Sequence, residues 1–438
     1  MSDPASPLSE SLGDHRLAWI APDLARTRGW SALGTPLVVV CADAMGLADG
    51  VGFPVLEIPP DTDTPSSALA LLEHEETVEF LRTHGVTHLL TFKANKRLQE
   101  RAEALGLALM MGEPSVAQRF ENKVQFAVIA RELGLAAART RTGQGGLPSH
   151  AELSEELGPR YVLQTARGHS GLGTWCVDNE DDHRGAAQAV AHRGWRAMAW
   201  LEGTTWTLNA CVDRAGNVFV GPVFRQLTGI PDCTPHPLGA CGNAWGDANA
   251  PEALGDMADT LGGALHRAGY IGAFGVDAID CGGTLHVIEV NPRVTSGLAM
   301  EAALSRAGGL PSVAEAHVRS HLGEIIPSER LAKSVAGSQL VLYTRSQEVT
   351  ALQSNLPGGR YRLENGVCHR VDDCTDPSQT AADEAIVWTR TAHRPIPPNA
   401  EFGRIQSTAA LVRSDSNGLS DLGSQWVRVL RKGCPVRP

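Results

Sequence analysis

Short apolar runs alternate with amphipathic stretches over the first 118 residues. TPLVVVCAD (35–43) and THLLTF (87–92) are β-branched and apolar runs of strand length. SALALLEHEETVEFLRTHG (67–85) and NKRLQERAEALG (95–106) repeat Leu and Glu at helical spacing, and each stops at glycine. This alternation predicts a small doubly wound α/β unit over residues 1–118.

From residue 119 the texture changes. ENKVQFAVIARELG predicts a helix and RYVLQTA a strand; the glycine-rich turn RGHSGLGTW follows, and WCVD returns as a strand. Two strands joined by such a loop make a hairpin-like flap, so residues 119–195 form a small subdomain. Residues 196–330 hold strands AMAWL, WTLNACVD and VFVGPVF, a helix at 251–268, and a hairpin pairing 273–280 with 284–291 through Gly282-Gly283. After Pro327 the charge shifts: residues 1–330 carry 25 Lys/Arg against 39 Asp/Glu, and residues 331–438 carry 13 against 10. A boundary near 328–335 follows. LVLYTR, HRVDD, AIVWTR and WVRVLRK predict a small C-terminal α+β domain over 331–438 that covers a substrate channel. Its Arg360, Arg362, Arg390 and Arg394 are solvated surface or a hold for an acidic peptide. The whole reads as an α/β and α+β multidomain chain.

Composition narrows the function. At 438 residues and net charge −11, the chain is acidic, which argues against nucleic acid or an anionic membrane as its main partner. Nine cysteines show no C-x-x-C and no zinc-ligand spacing, so scattered reduced thiols are expected. The N-terminus is polar and acidic, unlike a signal peptide. The notable apolar run Leu37 to Ala42 is far too short to span a bilayer, and a soluble, cytoplasmic protein is expected. Only five lysines exist: Lys93, Lys96, Lys123, Lys333 and Lys432. None lies between glycine and Ser/Thr, which removes the P-loop.

The strongest chemical signal is on the 273–291 hairpin. Glu289, Asn291 and Arg293 alternate along HVIEVNPR and share one face, while Ile288 and Val290 point the other way. Across a tight hairpin Asp277 lies opposite Glu289. Two carboxylates and an amide carbonyl are hard oxygen ligands, suited to Mg²⁺ bridging phosphates more than to zinc. A salt-bridged solvent face is the plainer alternative. Arg293 would supply a fixed cation for a transferring phosphoryl group.

Gly168-His169-Ser170-Gly171-Leu172-Gly173-Thr174 is the second signal. Glycines permit positive φ and let amides approach phosphate oxygens. A dinucleotide fingerprint is excluded, because the order is G-x-x-G-x-G between two strands. His169 contacts phosphate or is simply solvated. Lys123, near a helix start and about 40 residues before the flap, is the candidate phosphate-pairing lysine.

This order of lysine, glycine flap, E-G hinge, acidic residue and E-x-N-P-R resembles the ATP-grasp superfamily over roughly residues 35–330. The resemblance implies an N-terminal doubly wound pre-ATP-grasp domain, and ATP held between two α+β subdomains. It implies Mg²⁺ on Asp277, Glu289 and Asn291, and Arg293 as the stabiliser of phosphate and acylphosphate. Lys123 becomes a phosphate contact, residues 168–174 the flap, and Ala199-Trp200-Leu201-Glu202 the adenine hinge. Two positions depart from the pattern. Gln164 stands where the family usually has a second lysine, and Thr205 stands where a ribose-binding Glu is common, with Glu202 a substitute.

Within the superfamily, YVLQT, LEGTTWTLNACV, RQLTGIPDCT, the Gly-Asn of CGNAW and the appended C-terminal domain resemble the pheganomycin-type peptide ligases. That resemblance implies an acid bearing a guanidino group, joined to the amine of an amino acid or peptide, as in antibiotic biosynthesis. Arg225, at the end of strand VFVGPVF, would then bind a substrate carboxylate or serve as a structural salt bridge. Thr295, Ser296 and Gly297 would line the carboxylate pocket or cap a loop. The activity expected is ATP-dependent carboxylate–amine ligation giving ADP and phosphate, in a homodimer by family expectation. A kinase acting on a stable acceptor, or a non-catalytic nucleotide-binding regulator, is the alternative.

Overall fold

The computed structural model describes residues 8–27, 30, 37–47, 51–60, 67–168, 171–331, 335–414 and 416–437. Its first layer is a five-stranded parallel sheet in the order Val55–Glu57, Leu37–Cys41, Leu17–Ala21, His88–Thr91, Ala108–Leu109. Leu17–Ala21 and Leu37–Cys41 are buried at every position. A parallel strand covered on both faces has no polar side to show, which is why both read as unbroken apolar runs. The one helix expected over 67–85 is two, Ala68–Glu73 and Glu75–Thr83, because His74 is extended between them (φ −69°, ψ 134°). Lys96–Ala104 starts where the Asn95 side chain accepts from the Leu98 N–H.

The second layer is a four-stranded antiparallel sheet ordered Thr140–Gln144, Gly194–Ala199, Tyr161–Thr165, Thr174–Val177. Alternation gives this sheet two different faces. Tyr161, Leu163, Trp195, Ala197 and Ala199 pack with Leu153 and Leu157 of helix His150–Leu157 and with Ala186 and Val190 of helix Glu180–Val190. Val162 and Met198 belong to a separate apolar cluster that takes in Leu238 and Ile288 of the next layer. Gln164 and Arg196 alternate with the first set and so face the same way as Val162 and Met198.

The third layer is a twelve-stranded sheet. Its main path runs from Thr284–Asn291 and Gly272–Cys281 through Thr204–Val212, Phe224–Thr228 and Ala240–Trp245. It then continues into Gly337–Tyr343, Glu401–Ser407, Glu384–Thr389, Gly359–Glu364 and Val367–Asp372. The step across residue 331 is the antiparallel pairing of Ala240–Trp245 with Gly337–Tyr343. The C-terminal segment is therefore hydrogen-bonded into the sheet that carries the acidic hairpin. Val218–Val220 and Glu329–Arg330 pair at its side. The nine cysteines are all free thiols. Among the described residues, no helix is long and apolar enough to cross a membrane.

Candidate active site

Strands Gly272–Cys281 and Thr284–Asn291 pair in a register that puts Asp277 opposite Glu289 and Gly275 opposite Asn291. Gly282 and Gly283, at φ +61° and +85°, make the turn, and a bulge at Ile288 shifts the register by one residue so that Asp277 meets Glu289. Asn291 Nδ2 donates to Asp277 Oδ2 at 3.1 Å and to Glu289 Oε1 at 3.4 Å, so the three heads converge. Ile288, expected on the opposite face with Val290, instead joins the apolar cluster of Trp200 and Leu201, while Val290 lies in the core. Burial and the adjacent Glu289 charge push the Asp277 carboxyl up. Burial pushes Glu289 up too, but the Lys123 ammonium overrules it and holds this carboxyl well below the usual range. Among the described residues no three or more His, Cys, Asp or Glu side chains are grouped so as to hold a metal ion by themselves. The two carboxylates that converge suit an oxygen-preferring divalent ion, and the Asn291 carbonyl oxygen, here held by Arg293 NH2, would have to turn toward them to join the set.

Lys123 reaches this pair from another element. The Asn122 side chain caps Val124 and Gln125, which starts helix Lys123–Glu132 at the lysine itself. The Lys123 N–H donates to Ala166 O at 2.9 Å, tying the helix to the flap strand. Its Nζ lies 2.5 Å from Glu289 Oε2, with the lysine side chain only 8% exposed. The expected phosphate lysine is thus paired with an expected metal ligand.

Arg293 is equally restrained. Its Nε donates to Glu121 Oε1 at 3.0 Å, its NH2 to Asn291 Oδ1 at 2.9 Å and its NH1 to Val294 O at 3.1 Å. Phe92 lies under the guanidinium at 5.1 Å, and Lys93 pairs with the same Glu121. Glu121 and Phe92 are site residues that the sequence pattern did not single out. Glu121 is the last residue of helix Pro114–Glu121 and Phe92 follows strand His88–Thr91, where no periodicity marks either.

The flap strands pair with Gln164 opposite Thr174, and Gln164 Nε2 donates to Thr174 Oγ1 at 3.2 Å. Gly168 and Gly173 are required by space: a Cβ on Gly168 would lie 2.2 Å from Leu172 O, and Gly173 has φ +73°. Gly171 also belongs to this loop, whereas His169 and Ser170 lie outside the described residues. Beside Gln164, on strand Gly194–Ala199, stands Arg196, which is 3% exposed. A lone arginine between Trp195 and Ala197 in an otherwise apolar strand was the available signal for it.

The strand expected as AMAWL ends at Ala199, leaving Trp200 and Leu201 in the linking segment. Both pack with Ala138, Val162, Met198, Leu238 and Ile288, an apolar patch contributed by both subdomains. Arg160 stacks on Trp200 at 3.7 Å, while Glu202 is exposed. A Cβ on Gly203 would fall 1.9 Å from Asp280 O, so this crossing needs glycine.

Arg225 is corrected by the structure. It is the second residue of strand Phe224–Thr228, separate from Val218–Val220, and not the end of one strand. Its Nε lies 3.2 Å from an Asp247 oxygen, and its other nitrogens donate to the carbonyls of Arg413, Ser414 and Ser416. These contacts tie the C-terminal segment to this strand and make the salt-bridge alternative for Arg225 visible in the structure. Thr295 Oγ1 donates to Asn209 Oδ1 at 2.6 Å, Ser296 O accepts from Gln339 Nε2 at 3.4 Å, and Gly297 precedes helix Leu298–Ala307.

No protein-family model matches the sequence, and the search of curated proteins gives no match. Solved structures do match. The biotin carboxylase domain of the Hydrogenobacter thermophilus 2-oxoglutarate carboxylase, solved with MgADP, ADP and bicarbonate, gives a TM-score of 0.62 at 13% identity, covering 96% of this chain and 90% of that one. Biotin carboxylase from Campylobacter jejuni gives 0.61 at 13%, with 96% and 92% covered. N5-carboxyaminoimidazole ribonucleotide synthetase from Thermus thermophilus gives 0.58 at 15%, with 94% and 98% covered. These likenesses span nearly the whole length of each chain: the molecule has the ATP-grasp fold, as its lysine, flap and E-x-N-P-R order led us to expect.

Proposed function

We propose that the chain is an ATP-dependent carboxylate–amine ligase, activating an acid as its acylphosphate and joining it to an amine with release of ADP and phosphate. The observation that carries this is the convergence of Asp277, Glu289 and Asn291 with Lys123 and Arg293 at one point. Solved structures of similar fold hold ADP, MgADP and an ATP analogue, which supports a nucleotide here. Asp277, Glu289 and Asn291 would hold Mg²⁺, which would supply Lewis-acid stabilisation of charge on the transferring group.

The protein's own groups do the rest. The apolar patch of Trp200 and Leu201 receives the adenine against backbone groups of the hinge, with Glu202 beside it for the ribose. Lys123, freed from Glu289, turns to the phosphates. The flap amides of 168–174, with His169, Ser170 and Thr174, close over them, and Gln164 donates from below. Arg293, aimed by Glu121 and Asn291, stabilises charge on the phosphoryl group and then on the acylphosphate oxygens. The acid lies toward Thr295, Ser296 and Gly297, under the C-terminal segment. The narrower reading, a guanidino-bearing acid joined to an amino acid or peptide as in the pheganomycin-type ligases, rests on sequence resemblance alone.

The test is ADP release with MgATP against a pooled library of amino acids and short peptides, with products identified by mass. A product heavier than its acid by one amine minus water supports ligation. Failure of every pool to stimulate ADP release, with ATP nevertheless bound, supports a regulator instead.

A further inference from the structure

The ATP-grasp pattern places a lysine where this chain has Gln164, and an amide carries no charge. The structure shows where a charge stands instead. Gln164 and Arg196 are register partners on adjacent strands, on the side of the sheet where Val162 and Met198 meet Leu238 and Ile288 of the large subdomain. Gln164 Oε1 accepts from Arg196 Nε at 3.0 Å and from NH2 at 2.5 Å, while NH1 donates to Ile288 O at 2.9 Å. Every named partner of this guanidinium is a neutral carbonyl. Among the described residues no carboxylate forms an ion pair with it, and the acidic group that acts on it through space is Glu289, itself claimed by Lys123.

A cation that is 3% exposed and paired with no anion is costly to keep. Its fork is fixed by Gln164, whose Nε2 reaches on to Thr174 at the end of the flap. We propose that Arg196 supplies the phosphate-binding charge the pattern assigns to position 164, transferred one strand across the sheet and aimed by Gln164. The two residues form an alternative solution: a lysine at 164 would set two cations side by side, so the glutamine is what makes the arginine tenable. This rests on the nucleotide-binding reading above and names a residue that reading leaves out.

The test is direct calorimetry of MgATP, MgADP and adenosine binding, with no acid or amine needed. Arg196→Gln weakens MgATP and MgADP by about 10- to 100-fold, the range of a charge-assisted contact, and leaves adenosine unchanged. Gln164→Lys combined with Arg196→Gln returns the charge and recovers most of the loss. Arg196→Lys, which keeps a charge without the fork, falls between the wild type and Arg196→Gln. It also keeps the comparison open if the glutamine variant does not fold, since the double variant is then read against it. Equal MgATP affinity in folded Arg196→Gln, an equal loss for adenosine, or a double variant no better than the single one overturns the proposal. A wild-type chain that binds no MgATP overturns the ligase reading itself, which is a separate result.

Discussion

Lys123 Nζ stands 2.5 Å from Glu289 Oε2, a contact between residues 166 positions apart. It joins the first residue of a capped helix to the middle of the acidic hairpin, and it offsets the repulsion between Glu289 and Asp277. Lysine and divalent ion would compete for the same carboxylate. Lys123→Ala is therefore expected to change two affinities in opposite directions. Mn²⁺ alone, followed by its EPR signal, binds tighter because its competitor is gone. MgATP binds about 10- to 100-fold more weakly because a phosphate cation is lost. Weaker binding of both would contradict the exchange.

Glu289→Gln leaves the shape of the hairpin and removes the charge. ADP release is expected to fall by at least about 100-fold, while far-UV circular dichroism is unchanged. Lys123 is left half-satisfied in a buried setting, so denaturant titration should show a loss of about 1–3 kcal/mol. Near-wild-type turnover would refute the site assignment.

Gly173 has φ +73°, and a Cβ there would meet Thr165 Oγ1 at 2.4 Å. Gly173→Ala is expected to cost about 1–2 kcal/mol from the left-handed backbone and to displace the flap. MgADP affinity should drop together with the melting temperature; an unchanged nucleotide affinity would detach residues 168–174 from the phosphates.

His317 ties the parallel-sheet unit to the acid-bearing sheet. Its Nδ1 accepts from the Ala273 N–H at 2.9 Å, so Nε2 carries the proton and donates to Met110 O at 2.9 Å. Burial lowers its pKa from 6.5 to about 4. The folded state holds the neutral ring, so the stability it contributes is full above pH 6.5 and is lost as pH falls toward 4. The shift amounts to about 3 kcal/mol. Urea titrations across that window should show His317→Gln with a flatter pH slope than the wild type, and identical slopes would remove His317 from the acid response.

The hairpin, the flap and the doubly wound sheet were legible because each writes a local signal: alternation in HVIEVNPR, glycines between two strands, and apolar runs of strand length. What was not legible depends on partners far apart in the chain. Nothing local announces that Ala240–Trp245 pairs with Gly337–Tyr343 and merges the C-terminal segment into the large sheet. The sequence left Arg225 open between a substrate contact and a salt bridge because Asp247 and the carbonyls of Arg413, Ser414 and Ser416 lie up to 191 positions away. Lys123 stood out by type and place, but its pairing with Glu289, 166 positions away, had no local signal. Arg196 drew no notice because the resemblance points to position 164, while this buried arginine stands on the adjacent strand.

The central claim is that a carboxylate is activated on the phosphoryl group of ATP. Hydroxylamine trapping measures this most directly: the protein, MgATP and the acid pool are incubated with hydroxylamine in place of the amine. The account predicts an acyl hydroxamate formed in step with ADP, and neither from Glu289→Gln. ADP released with a stable phosphorylated acceptor and no hydroxamate would contradict it.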